Sequence, residues 1–166
     1  MSVALLILGF VTLERLGELV LARRNTRALL LQGAYEAAPG HYPLIVTVHL
    51  SWLSSLWWLA PGRPIIWELI AIFLLLQLGR FWVLATLGRR WTTRIIVLPG
   101  APLLAHGPFR LVRHPNYLIV VLEIAILPLA FRLWEVAFLF SLFNALVLTI
   151  RIRAEEKALA MAMRKA

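Results

Sequence analysis

Five apolar stretches run along the chain, each divided from the next by a polar, turn-forming segment. Residues 2–22, 43–60, 65–87, 117–131 and 133–152 are predicted to be helices that cross a bilayer, because about 20 apolar residues at ~1.5 Å per residue cover a hydrocarbon core of about 30 Å. The fourth is short, with breaks expected at Pro128 and at Arg132-Leu133-Trp134-Glu135 before the fifth, so these two read as a helical hairpin. Pro61-Gly62-Arg63-Pro64 leaves room only for a tight turn between the second and third. After the first comes a polar connector reaching Tyr42, in which Ala28 to Gln32 are expected to form a separate interfacial helix. No basic segment precedes the first stretch and no small-residue cleavage site follows it, so it is expected to stay as a span. The expected fold class is all-α: a polytopic integral membrane protein forming one domain over residues 1–166.

Polar residues inside these stretches are the informative ones. Glu14 and Glu18 share a helical face with Arg15 beside them. They form either an ion-paired helix end near the interface or a polar wall facing an internal cavity. His49 is either a hydrogen-bonded structural histidine or a reactive group. Arg80 either snorkels to the interface or pairs with a glutamate from another helix. Glu123 would be costly as a bare carboxylate in an apolar helix, so it needs a partner such as Arg80, or a proton.

The longest polar segment, residues 88–117, ends in His106-Gly107-Pro108-Phe109-Arg110-Leu111-Val112-Arg113-His114-Pro115-Asn116-Tyr117. Trp91 to Val97 is rich in β-forming residues and predicts a short extended piece. Gly107-Pro108 reads as a turn. Pro115 suits the first turn of a helix, where its missing N–H costs nothing. Arg113 and His114 then sit at a helix N-terminus, which attracts anions, and the stretch reads as a cofactor pocket.

Composition narrows the class. At 61% hydrophobic and 15% charged, the chain is too apolar for an ordinary soluble domain. The net charge of +9 does not point to nucleic acid, because the basic residues lie between apolar runs and form no basic module. Thirteen of them fall in residues 22–42, 88–117 and 151–166, whereas the two turns on the other side carry only Arg63 and Arg132. By the positive-inside rule the N-terminus is outside and the C-terminus cytoplasmic, in the plasma membrane if the source is bacterial. Residues 88–117 and 151–166 then share the cytoplasmic face. Cysteine is absent, and the four histidines lack zinc-ligand spacing with no Asp to complete a set, so no metal site is expected. None of the nine glycines forms a G-x-G-x-x-G pattern, which excludes a Rossmann-type nucleotide site.

Gly107-Pro108-Phe109-Arg110, then Arg113-His114-Pro115-Asn116-Tyr117, then a hairpin, then Glu155-Glu156 after the last span resembles the isoprenylcysteine carboxyl methyltransferase family. That match covers about Leu87 to Leu159. The first half, through Glu14-Arg15-Leu16, Arg23-Arg24-Asn25 and His41-Tyr42-Pro43-Leu44, is similar to a small bacterial branch that includes alkylpyrone O-methyltransferase-like proteins. The resemblance implies an enzyme that transfers a methyl group from S-adenosylmethionine to a lipid-like acceptor: an enol, phenol or carboxylate with a long apolar tail. It implies a cofactor site of His106, Gly107, Val112, His114, Tyr117 and Glu155, and Arg113 matches the arginine of the signature; Arg113 and Arg151 are expected as the catalytic residues that hold the acceptor oxygen. Glu155 would bind groups such as the ribose hydroxyls. Phe109, Ile119 and the short C-terminal tail depart from the prenylcysteine pattern, which leaves the prenylcysteine carboxylate as the alternative acceptor. The implied partners are that acceptor and membrane lipids, without nucleic acid or an obligatory protein partner. A competing class is a small non-enzymatic transporter subunit or scaffold, in which the buried charges would line a substrate path.

Overall fold

The computed structural model describes residues 2–102 and 104–165. It contains five helices: α1 (Val3–Leu31), α2 (Tyr42–Leu59), α3 (Trp67–Leu87), α4 (Pro115–Ala130) and α5 (Trp134–Lys165). Single 3₁₀ turns occupy Pro39–His41, Gly88–Arg90 and Gly107–Arg110. Two short strands, β1 (Tyr35–Glu36) and β2 (Ile96–Val97), pair antiparallel with Tyr35 opposite Val97. The extended piece predicted near Val97 is therefore present, and it pairs with a segment from the first connector.

α3 and α5 are long and apolar enough to cross a membrane, and α4 is apolar but shorter. α1 falls short of that measure because it carries Glu14, Arg15, Glu18 and the arginines after Ala22. α2 falls short because His, Ser, Thr and Trp dilute its aliphatic residues. Exposed Leu13, Trp58, Phe81 and Phe138 stud the outside of the bundle. Such a surface suits lipid rather than water.

Two sequence expectations need correction. The first helix does not stop at residue 22 with a separate helix over 28–32; α1 runs unbroken to Leu31. Ala22, Asn25 and Leu29 are buried along one face, and the Asn25 amide donates to the carbonyls of Gly88 (3.1 Å) and Trp91 (2.9 Å). That face is packed, so the helix has no reason to end. Gly33, at φ +89°, then lets the chain turn out, and the Ala34 N–H returns to the Leu29 carbonyl.

The second correction concerns Pro128, which lies inside α4 and does not break it. Proline has no N–H for the carbonyl four residues back, here that of Ile124. The Trp52 indole of α2 donates to that carbonyl at 3.2 Å, so the vacancy becomes a link between helices. The hairpin turn follows three residues later, with the Phe131 and Leu133 N–H groups closing on the Pro128 carbonyl and Arg132 at φ +56°.

The main core joins all five helices at the hairpin end, with Leu8, Leu56, Phe73, Ile124 and Phe131 fully buried. At the other end, β1–β2, the 88–114 segment and the tail of α5 gather over the bundle. Ile95, Val97 and Ala158 form a small core there. Glu36 accepts from Arg94 at 2.8 Å, a bond that also raises the Arg94 pKa.

Candidate active site

The length difference between α4 and α5 builds the site. An antiparallel hairpin sets the first turn of α4 against the middle of α5, and α5 continues past it as a tail. Tyr117 therefore meets Arg151 and Glu155, which lie one turn apart on one face of α5. The Tyr117 hydroxyl donates to Glu155 Oε2 and accepts from Arg151 Nε at 2.8 Å. Arg151 Nη1 donates to the Thr93 carbonyl at 2.8 Å, which ties the 91–97 strip to both helices. His114 caps α4 and stacks on Tyr117, with ring centroids 5.2 Å apart and planes at 18°.

Two cavities flank this cluster and share a wall. The larger, about 330 Å³, lies among α1, α2 and α5; the smaller, about 150 Å³, lies between the 90–97 strip, the start of α4 and the tail of α5. Trp91, Thr92, Asn116, Tyr117 and Arg151 line both. The larger cavity is walled mostly by apolar side chains, whereas His114, Arg90, Arg94 and Glu155 face the smaller one. Buried polar atoms nearly always have partners, yet Trp91 Nε1, Asn116 Oδ1 and His114 Nε2 are buried without a hydrogen bond. All three residues line the smaller cavity.

Of the residues expected from sequence, His114, Tyr117, Arg151 and Glu155 come together here. His106, Gly107, Val112 and Arg113 line neither cavity. His106 and Val112 are exposed. Gly107, at φ +59°, sits so close to α3 that a Cβ there would come 2.8 Å from Thr86 Oγ1, so it positions the segment. The Arg113 side chain is 81% exposed and pairs with Glu156 at 3.3 Å on the rim. Asn116 belongs to the stretch read as a cofactor pocket, whereas Trp91, Thr92 and Asn144 line the cavities without having been expected from the sequence. Asn144, an amide inside an apolar helix, was the available signal.

Beneath the larger cavity lies a buried ionic cluster. Glu123, 2% exposed, accepts from Arg80 Nε (3.0 Å), Gln77 Nε2 (2.9 Å) and Arg15 Nη2 (2.8 Å). Arg80 and Arg15 both reach Glu18 as well, at 3.3 and 3.1 Å. The partner expected for Glu123 is thus present, with Arg15 as a second. The α1 charges form a polar wall: Arg15 and Glu18 are ion-paired and line the cavity, but α1 runs on to Leu31, so they do not mark a helix end.

The family model for isoprenylcysteine carboxyl methyltransferases matches residues 69–161, more than half of the chain. The chain belongs to this family. It is a family of membrane methyltransferases, and the matched span holds the shared wall together with Arg151 and Glu155. An uncharacterized protein of Bacillus subtilis (strain 168), YpbQ, is 38% identical to this chain over 167 residues, covering 93% of the chain and 95% of YpbQ. No solved structure matches the chain. α1 and α2, which complete the larger cavity of this family member, precede the family match.

Proposed function

We propose that the protein is an S-adenosylmethionine-dependent O-methyltransferase acting on a lipid-like acceptor, an enol, phenol or carboxylate with a long apolar tail, at the cytoplasmic membrane face. All five helices cross or enter the bilayer in this reading, with the N-terminus outside. The observation that carries it is the meeting of a polar and an apolar cavity at one wall of five side chains.

The smaller cavity suits the cofactor. Glu155 can accept from hydroxyl or amine groups, the unpartnered atoms of His114, Asn116 and Trp91 await polar groups, and Phe109 and Ile95 offer apolar surface to a base. Bound there, S-adenosylmethionine supplies a methyl group made electrophilic by its sulfonium. The chain's own contribution is placement and exclusion of water. Arg151 is anchored through Nε and Nη1, which leaves Nη2 to hold the acceptor oxygen at the shared wall. The tail lies in the larger cavity. Leu16, Val46 and Leu50 line it and are also exposed outside, so the gap between α1 and α2 opens sideways toward lipid. A carboxylate acceptor needs no general base, and an acidic enol or phenol needs only a weak one.

Calorimetric titration of the purified protein with S-adenosylmethionine tests the reading. Saturable binding should weaken about tenfold or more in His114→Ala and in Glu155→Ala, as loss of a charge-assisted contact predicts. A folded wild type that shows no binding in detergent or in lipid would overturn it.

A further inference from the structure

The larger cavity carries a second polar band, below the wall where methyl transfer is placed. Thr93 gives a common reference for its depth. The Tyr42 hydroxyl of α2 lies 3.3 Å from Thr93 Oγ1, and Arg151 of α5 donates to the Thr93 carbonyl. His49 lies seven residues along α2 from Tyr42, and Asn144 seven residues back along α5 from Arg151. α2 leads away from this level and α5 returns to it, so each residue lies about 10 Å along its helix from the residue that reaches Thr93. Both line the same cavity.

Their hydrogen-bonding capacity is open. Asn144 is 4% exposed, and its amide makes no hydrogen bond among the described residues, yet it faces the cavity. His49 Nδ1 lies 2.8 Å from the Ile45 carbonyl. A carbonyl only accepts, so Nδ1 carries the hydrogen, and the neutral ring presents Nε2 as an acceptor. Arg15 Nη1 and Nη2 are already engaged by Glu18 and Glu123, which leaves only its buried Nε without a partner. A plain hydrocarbon tail would bury the Asn144 amide with nothing to bond. A hydroxyl supplies what both groups lack, a donor for His49 Nε2 and an acceptor for the Asn144 amide.

Resting on the reading of this cavity as the acceptor site, we propose that the acceptor carries a hydroxyl about 10 Å from the methylated oxygen, recognised by His49 and Asn144. The transfer itself would be unaltered: the acceptor oxygen, as a carboxylate or as an enol or phenol that has given its proton to water, would bond the methyl carbon while the carbon–sulfur bond breaks and its electrons stay on sulfur, giving S-adenosylhomocysteine. His49 and Asn144 act as specificity residues remote from that step.

The test is a binding titration without cofactor, followed by tryptophan fluorescence, since Trp52 and Trp91 line the cavity. Two probes are compared: para-dodecylphenol and the same phenol with a hydroxyl on the fourth chain carbon. Wild type should bind the hydroxylated probe about tenfold more tightly. Asn144→Leu and His49→Leu should erase that preference while binding the plain phenol at least as well. Equal affinity of wild type for the two probes, or a preference that persists in both variants, overturns the inference and leaves the methyltransferase reading standing. Binding of neither probe overturns the acceptor-cavity reading and this inference with it. The comparison of two probes on wild type decides even where a variant fails to fold.

Discussion

Arg151 is held at two points, and that anchoring separates it from Arg113. Its Nε bonds the Tyr117 hydroxyl and its Nη1 the Thr93 carbonyl, both at 2.8 Å. A planar guanidinium fixed this way presents its remaining nitrogen in one direction, which a lysine ammonium does not reproduce. Arg151→Lys is therefore expected to lower turnover about a hundredfold with the protein still folded, because misplacement of about 1 Å at a reacting centre costs that much. Arg113→Ala breaks only an exposed pair with Glu156, and such pairs contribute about 0–1 kcal/mol, so its turnover should fall less than about tenfold. Steady-state kinetics on the two variants checks both. The reverse order would move the acceptor oxygen from the shared wall to the rim.

At the scale of elements, Pro128 and Trp52 show how a helix defect becomes a tertiary contact. The Ile124 carbonyl left free by Pro128 accepts from the buried Trp52 indole. Trp52→Phe keeps most of the apolar bulk but strands that carbonyl, for a cost of about 1–3 kcal/mol. In a Pro128→Ala background the backbone N–H of residue 128 takes the carbonyl, so Trp52→Phe should cost less there. Thermal unfolding of the four proteins measures the coupling; strictly additive effects would refute the link. The same pair marks where the sequence was readable. Pro115 announces the start of α4, and the isolated Glu123 and Arg80 announce each other, because a bare charge in an apolar helix demands a partner. Nothing local announces that Arg15 reaches Glu123 from 108 residues away, or that β1 pairs with β2. Long-range contacts of this kind leave no periodicity in the chain. The continuation of α1 past Ala22 was hidden for a related reason: Asn25 reads as a connector residue until the carbonyls of Gly88 and Trp91 are seen to meet it.

For the whole molecule, the decisive question is which end of the bundle faces the cytoplasm. The β1–β2 pair, the 88–114 segment and the α5 tail gather at one end, whereas the 60–66 turn and the α4–α5 turn meet at the other, where the Ile66 N–H donates to the Ala130 carbonyl at 2.8 Å. Most of the arginines and lysines lie at the first end, the arrangement of a membrane protein whose basic segments stay inside. S-adenosylmethionine is made in the cytoplasm, so the proposed chemistry requires the same orientation. The chain has no cysteine, so a single introduced thiol reports unambiguously. Arg63, Arg110 and Arg153 are exposed and make suitable sites. Arg63→Cys should react with a membrane-impermeant maleimide in intact cells, and Arg110→Cys and Arg153→Cys only after permeabilisation. The opposite pattern would place both cavities outside, away from the methyl donor, and the methyltransferase proposal would fall with the topology.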